Sequence, residues 1–171
     1  MSAVQKVRAA TAADHDAVDA AFGEVDLGDR ASYGRFLTAH ALALPAVEQA
    51  LAGVAALPAL RPRAPLIAGD LRGLGLDVPS PLAFPAPASD AAAFGMAYVI
   101  EGSRLGGGML AKRVGRDLPT AYLSATHLAG EWRGFLSALD QAAEGEDWIA
   151  GMIAAARATF DLYRQAAVIA L

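Results

Sequence analysis

A glycine-rich segment within a helical pattern limits what this chain can fold into. Residues 95–108 read GMAYVIEGSRLGGG, so five of the fourteen residues are glycine. Each interior glycine lowers helix stability by roughly 0.8–1.0 kcal/mol relative to alanine, and such a helix persists only where bare backbone is needed. At helical spacing Gly95, Gly102, Ser103 and Gly106 lie on one face. That face can accept a neighbouring helix or a flat ligand, and the local pattern does not decide between them.

The composition favours an all-α fold. Hydrophobic residues make up 55% of the 171 residues, with alanine and leucine dominant, whereas β-branched and aromatic residues are too scattered for strands. The length suits one domain, so we expect residues 1–171 to form a single helical bundle. The chain has no cysteine, which excludes disulfides, thiolate metal sites and cysteine nucleophiles.

The charge and the apolar runs bear on location and partners. A net charge of −4 weighs against nucleic acid as a partner. The apolar runs are broken by glycine, proline or a charge well short of a membrane span, and the N-terminal segment lacks the apolar stretch of a signal peptide. We therefore expect a cytoplasmic protein with neither a membrane nor a nucleic-acid partner.

The N-terminal segment predicts one long helix with a histidine on its inward face. Ser2 and Gln5 form a capping-box pattern. The stripe that follows at spacings of four and three residues consists of Val4, Arg8, Thr11, His15, Val18 and Phe22. Asp19 lies one turn after His15, so its carboxylate can accept a hydrogen bond from one imidazole nitrogen and leave the other for a metal. A hydrogen-bonded core histidine gives the same pattern, and both interpretations stay open.

Five further helices are predicted along the chain. They are expected over about Ser32–Val54, near Leu66–Leu74, over the glycine-rich segment after a Ser89 cap, over Glu131–Leu139, and from Glu146 to about Ala170. Pro45 is expected to bend the first of these, and His40 near its apolar stripe is a rival metal ligand. The proline-rich residues 79–87 are expected to run extended. The weakly patterned residues 120–128 are expected to place His127 at the surface.

Four segments, taken in order along the chain, match the motifs of one family. Residues 95–107 resemble a distal-helix signature of the type Tyr-Val-x-Glu-Gly-Ser-x-Leu-Gly-Gly, and residues 8–15 have the basic-x-x-Thr-x-x-x-His form of a proximal helix. Residues 33–37 and 132–135 agree with them in order and spacing. Over nearly its whole length the chain resembles the bacterial heme oxygenases, in particular the biliverdin-forming branch that accompanies bacterial phytochromes.

The resemblance implies a heme-oxygenase-like helical bundle with heme between the first helix and the glycine helix. His15 would ligate the iron, and Asp19 would orient it. The remaining implied contacts to heme are the backbone at Gly102 and Gly106, the propionate-holding Arg8 and Arg133, and the ring contacts of Tyr98 and Phe160. Gly95 would then belong to the same wall as the other two glycines. Ser103 stands where animal-type enzymes have an aspartate that organises water, so it would serve proton delivery without a charge.

The implied reaction is the cleavage of heme by O2 to biliverdin, carbon monoxide and ferrous iron, with electrons from a ferredoxin or reductase. A bacterial phytochrome would be the biliverdin acceptor. The alternative is a non-catalytic protein on the same fold that binds heme or another tetrapyrrole. A thiamin-degrading relative of this fold would need a cysteine nucleophile, which the chain lacks.

The remaining charged residues have expected roles of their own. A basic patch for an acidic electron donor is predicted from Lys112, Arg113 and Arg116, with Arg61 and Arg63 as further members. On the glycine helix, Glu101 is expected to be a structural ion-pair partner. Arg104 is expected either to be solvated or to close the edge of the pocket.

Overall fold

Seven α-helices account for the regular structure of the computed structural model, which describes residues 1–171 and contains no strand. The helices are α1 (Ala3–Ala10), α2 (Ala12–Phe22), α3 (Arg30–Leu51), α4 (Ala64–Gly73), α5 (Asp90–Ala111), α6 (Glu131–Ala142) and α7 (Glu146–Ala170). The expected all-α class is therefore confirmed. None of these helices is both long and apolar enough to span a bilayer.

The predicted single N-terminal helix is in fact two helices that meet at Thr11. The capping box of Ser2 and Gln5 is present at the start of α1. The buried Thr11 hydroxyl donates to the Val7 carbonyl at 2.7 Å, and Thr11 has φ −109° and ψ 7°, outside the helical values. A threonine that bonds to the carbonyl four residues back tends to bend a helix. The prediction of one unbroken helix is thus wrong. The predicted stripe nevertheless faces inward, since its members from Arg8 to Phe22 line one cavity between the helices.

Helices α3, α5 and α7 supply most of the core. One contiguous cluster of 35 buried residues runs through them, and α7 packs against both α5 and α3. Thirteen residues of α3 are buried, including Pro45 in the interior of the helix. An apolar helix buried on most of its circumference is expected at the centre of a bundle. Helix α3 therefore lies at the centre of the bundle, whereas α5 packs mainly against α7.

The glycines of α5 fall into two groups. A Cβ added at Gly95 would lie 2.1 Å from the Met152 carbonyl oxygen of α7, and one added at Gly107 would lie 3.0 Å from the Leu123 carbonyl oxygen. Both glycines therefore allow other backbone to approach α5. A Cβ at Gly106 would meet nothing within 4 Å, and one at Gly102 would meet only the Trp132 side chain at 3.6 Å. The expectation that Gly95 shares a ligand wall with Gly102 and Gly106 is wrong, because Gly95 is buried in the helix contact.

The segment between α5 and α6 is non-helical but firmly attached to the bundle. The buried Asp70 carboxylate of α4 accepts hydrogen bonds from the backbone N–H groups of Ala121 and Tyr122 at 3.2 and 2.8 Å. Burial raises the pKa of Asp70, and these two hydrogen bonds oppose the rise. The Tyr33 hydroxyl donates to the Pro119 carbonyl at 2.8 Å. These contacts fix the position from which Tyr122 projects inward.

The proline-rich connector behaves as its composition indicates. Residues 79–87 contain no helix, and the Leu82 N–H donates to the Leu42 carbonyl at 2.8 Å. This one backbone hydrogen bond ties the connector to α3. The expected extended run is confirmed as a stretch without regular hydrogen bonding.

Gly95→Ala tests the close contact between α5 and α7. The added methyl group meets backbone at 2.1 Å, so the helices must separate, and we expect a loss of about 2 kcal/mol or more in the free energy of unfolding. Gly106→Ala is the matched control, and its higher helix propensity should raise stability by roughly 0.5–1 kcal/mol. Urea denaturation of the heme-free proteins measures both. Equal unfolding midpoints for the two variants would contradict this role for Gly95.

Candidate functional site

A cavity of about 440 Å³ opens between the helices, a volume suited to a small ligand or cofactor. It is lined by residues of α1, α2, α3, α5 and α7, by Arg63, by Tyr122 and Leu123, and by Trp132 of α6. Eight of the nine residues proposed from the sequence as site residues line it, namely Arg8, His15, Asp19, Tyr98, Gly102, Ser103, Gly106 and Phe160. Arg133 does not line the cavity and is exposed on α6, so the structure does not bring it to the others.

The α2 wall presents an imidazole to this cavity. The His15 side chain is 60% exposed, and its Nδ1 lies 3.4 Å from an Asp19 carboxylate oxygen and 3.8 Å from one of Asp16. The ring meets Phe160 of α7 edge-on, with 6.1 Å between the ring centroids. A carboxylate at Nδ1 favours the tautomer that leaves Nε2 unprotonated, which is the arrangement of a metal-binding histidine. The residues therefore fit an iron ligand at His15.

The α5 wall presents bare backbone and one hydroxyl. Gly102 and Gly106 both line the cavity, and no backbone approaches the position of an added Cβ at either residue. The Ser103 hydroxyl donates to the Ile100 carbonyl at 2.6 Å and accepts from the Arg63 guanidinium at 2.9 Å. Because a hydroxyl has only one proton, the Ser103 donor is already used within the protein. A flat ring can lie against the glycines, whereas Ser103 keeps only acceptor capacity for it.

Arg63 is a cavity residue that sequence reasoning missed. It was expected in a surface patch, which is wrong, because it is only 3% exposed and lines the cavity. Its backbone N–H donates to Glu48 at 2.7 Å, and its guanidinium donates to the Ile100 carbonyl as well as to Ser103. The guanidinium also lies 5.4 Å from the centroid of the Tyr122 ring. Arg63 lies in a proline-rich connector without periodicity, so no pattern signalled its direction.

His40 lies in an aromatic cluster at the same cavity. Its Nδ1 is 2.7 Å from the Tyr122 hydroxyl, and its ring stacks on Phe36 with 4.3 Å between the centroids. Burial, and to a smaller extent the charge of Arg63, lower the pKa of His40 to about 3. Burial raises the pKa of Tyr122. His40 is therefore a neutral imidazole near neutral pH, with one nitrogen already hydrogen-bonded.

A buried ionic cluster lies on another face of α5. Arg104 is 2% exposed, pairs with Glu101 at 3.0 Å and donates to the Ala125 carbonyl at 2.9 Å and to the Arg61 carbonyl. The expected ion-pair role of Glu101 is confirmed, whereas neither expectation for Arg104 holds. His127 is also wrongly placed at the surface by the sequence, since its side chain is 8% exposed and its ring stacks on Trp132. This cluster holds residues 120–128 against α5.

The predicted basic patch is smaller than expected. Arg61 donates two hydrogen bonds of 2.7 Å to Glu131 and lowers the pKa of that carboxyl to about 2, while Arg63 is buried. The basic side chains that stay exposed beyond the end of α5 are Lys112, Arg113 and Arg116. They lie two to six residues after Leu110, which lines the cavity.

Comparisons with known proteins point to one kind of enzyme. No protein-family model matches the sequence. Over 108 residues the chain is 42% identical to a heme oxygenase of Xanthomonas campestris pv. campestris (strain 8004). The match covers 58% of this chain and 64% of that relative, so the chain spans less than two thirds of the relative's length. The structure superposes on that of the NO- and CO-bound heme oxygenase of Neisseria meningitidis with a TM-score of 0.85.

The structural likeness extends over both molecules. It covers 99% of this chain and 92% of the Neisseria chain, at 24% sequence identity. At this level of identity the comparison shows the fold, and the chain has the all-helical heme oxygenase fold. A fold alone does not determine function, which depends on the residues of the site.

The neutral state of His40 makes stability depend on pH. An unfolded imidazole binds a proton below its ordinary pKa of 6.5, whereas the folded one does so only near 3, so the stabilisation is fully present above pH 6.5 and is lost as the pH falls toward 3. Each such histidine adds up to about 1.4 kcal/mol per pH unit to the slope of the unfolding free energy against pH. Burial lowers the pKa of His127 too, and it adds to the same slope.

His40→Phe isolates this contribution. Between pH 6.5 and about 5, we expect the slope of the unfolding free energy against pH to be smaller in this variant by about 1.4 kcal/mol per pH unit, the equivalent of one proton. The wild-type slope should persist in His15→Gln. Urea denaturation across the pH range measures the slope. Parallel curves for wild type and His40→Phe would contradict a neutral buried His40.

Proposed function

We propose that this protein is a heme oxygenase that cleaves heme with O2 to biliverdin, carbon monoxide and ferrous iron. The observation that carries the proposal is the cavity itself, in which His15 with its carboxylate partner and the bare backbone at Gly102 and Gly106 line the same space. The heme oxygenase of Xanthomonas campestris, matched over part of its length, supports the same reaction. The proposal covers residues 1–171 as one heme-oxygenase-like domain.

His15 is the proposed iron ligand, held by Asp19. The Asp19 carboxylate at 3.4 Å from Nδ1 orients the ring and makes Nε2 a better donor. The α5 wall offers backbone and the Ser103 hydroxyl, neither of which is a strong iron ligand, so neither would compete with O2 for the iron. His40 is the other imidazole in the cavity, and its hydrogen bond with Tyr122 and its stacking on Phe36 already engage it.

Heme supplies the iron that activates O2 and is also the molecule oxidised, so no protein nucleophile is required. The residues of the chain bind the ring, orient it and exclude water. Tyr98 and Phe160 provide ring contacts, and Arg8 provides a guanidinium for a propionate. Gly102 and Gly106 would let the helix backbone lie against a bound ring. Arg133 is left out of this proposal, because it does not line the cavity.

Partners follow from the proposed reaction. Electrons would come from a ferredoxin or a reductase, and the biliverdin would pass to a bacterial phytochrome, as in the branch that the motifs resemble. The reaction would take place in the cytoplasm, where such donors are reduced. Lys112, Arg113 and Arg116 form the basic surface proposed for the donor.

Hemin titration tests the binding half of the proposal. Wild type should develop a saturable Soret band, His15→Ala should lose the ligand-dependent band, and His40→Ala should keep it. Circular dichroism controls for folding, and His15 is suited to the test because the exposed residues of α2 add nothing to the buried core. If His40→Ala alone removed the band, His40 would be the ligand. No saturable binding by wild type would overturn the proposal.

Supply of reductant tests the catalytic half. Wild type loaded with hemin and given ferredoxin, its reductase and NADPH in air should form biliverdin and release iron that a ferrous chelator detects. The alternative, a non-catalytic heme-binding protein, is favoured by the Ser103 hydroxyl being engaged by Ile100. An unchanged heme spectrum after many equivalents of reductant would support that alternative.

Charge reversal tests the donor surface. The triple variant Lys112→Glu, Arg113→Glu, Arg116→Glu should raise the apparent KM for a ferredoxin about five- to tenfold at low salt, with the difference shrinking as salt screens the charges. Arg72→Glu, an exposed arginine on α4, is the matched control and should leave KM unchanged. An unaffected KM in the triple variant at low salt would contradict the assignment.

A further inference from the structure

Arg63 is a buried cation without a carboxylate partner. It is 3% exposed and takes part in none of the ion pairs of the structure. The nearby Glu48 carboxylate is instead used by the backbone N–H groups of Arg63 and Ala64, at 2.7 and 3.0 Å. Buried charges in proteins are normally paired. The guanidinium therefore retains a charge that the protein does not neutralise by direct contact.

The hydrogen bonds of Arg63 also leave donor capacity at the cavity. One terminal nitrogen donates to the Ile100 carbonyl and to Ser103, whereas Nε is buried and has no acceptor. The Tyr163 hydroxyl, on another wall of the same cavity, is likewise buried without a partner. Buried donors are satisfied in most proteins, and each exception needs a reason. Both of these atoms are enclosed by protein. The other terminal nitrogen of Arg63 forms no hydrogen bond within the protein and is the donor left for a ligand in the cavity.

The cavity side chains around Arg63 are neutral, and the nearby Glu48 carboxylate does not line the cavity. Tyr122 lies under the guanidinium at 5.4 Å, and its hydroxyl is hydrogen-bonded to His40. Burial lowers the pKa of His40 and raises those of Tyr122 and Tyr163, so all three stay uncharged near neutral pH. The acidic residues that line the cavity, Asp16 and Asp19, lie on α2 beside His15. An entering anion would therefore find a cation and neutral donors on this side of the cavity.

We propose that the cavity contains a binding site for a small monovalent anion, centred on the Arg63 guanidinium beside Gly102 and Ser103. The anion would accept from the unbonded terminal nitrogen of Arg63 and be neutralised by the guanidinium. The site would exist before heme binds, since all its groups belong to the protein. The site itself does not depend on the proposed function. Only its position next to the iron rests on that function, because heme would have to bind for the anion to lie there.

The first experiment uses heme-free wild-type protein and sodium azide as the probe. Spectra of the arginine Nε–H groups by ¹H–¹⁵N NMR are followed in a buffer free of other small anions. The Arg63 resonance, assigned from its proximity to the Tyr122 ring, should shift saturably, whereas those of exposed arginines should drift weakly and without saturation. An Arg63 resonance that does not shift, or shifts only as the exposed ones do, would overturn the proposal.

The second experiment compares azide with the neutral ligand imidazole on hemin-loaded protein, read from the Soret band. Arg63→Gln should weaken azide binding about tenfold, the loss expected for a charge-assisted hydrogen bond, and change imidazole binding less than about threefold. Arg72→Gln, on the exposed part of α4, is the matched control. Equal changes for both ligands in Arg63→Gln would overturn the placement beside the iron.

The two experiments separate this inference from the proposed function. Absence of any Soret band in wild type would remove the heme oxygenase proposal and leave the NMR result to decide the anion site. If Arg63→Gln does not fold, as circular dichroism would show, Arg63→Lys keeps the charge and should retain part of the azide affinity. A folded Arg63→Lys that loses affinity for azide and for imidazole alike would overturn the placement beside the iron.

Discussion

The contact between Gly95 and the Met152 carbonyl determines how the rest of the site is arranged. Since a Cβ at Gly95 would lie 2.1 Å from this oxygen, α5 and α7 meet backbone to backbone, and α5 can neither slide nor rotate without a clash. Further along α5, a Cβ at Gly107 would lie 3.0 Å from the Leu123 carbonyl oxygen. Gly102 and Gly106 lie between these two contacts along α5, and no backbone approaches either of them. The cavity thus lies against the part of α5 around Gly102 and Gly106, where no other backbone covers the helix.

The polar side chains of the connectors divide between two faces of α5. On one face, Arg104, Glu101 and His127 form a buried cluster that attaches residues 120–128. Toward the cavity, Arg63 bonds to Ile100 and Ser103, although it lies only two residues from Arg61, whose carbonyl accepts from Arg104. One short connector therefore contributes to both faces. This arrangement holds α5 by charged groups on the side away from α7 and gives the cavity a cation.

The sequence allowed the helices and most of the cavity to be predicted, because caps, periodicity and motif spacing are local. The break at Thr11 was missed, since threonine fits a continuous stripe as well as a bend and only its hydrogen bond to Val7 distinguishes them. The role of Gly95 was missed because a glycine that meets a helix and one that meets a ligand give the same pattern. Arg63 was missed because the direction of a side chain in an aperiodic connector depends on tertiary contacts.

Helix α2 carries the proposed iron ligand but buries no residue of its own. The stability of the fold therefore depends little on the exposed side chains of α2. The half-buried Val18 and Phe22 are the exceptions, because they pack on the core. Screens that score only expression or thermal stability would report most substitutions at His15 and its neighbours as harmless. Sequence variation at the exposed positions of α2 among related chains would then record selection for the ligand more than the packing constraints that dominate α5.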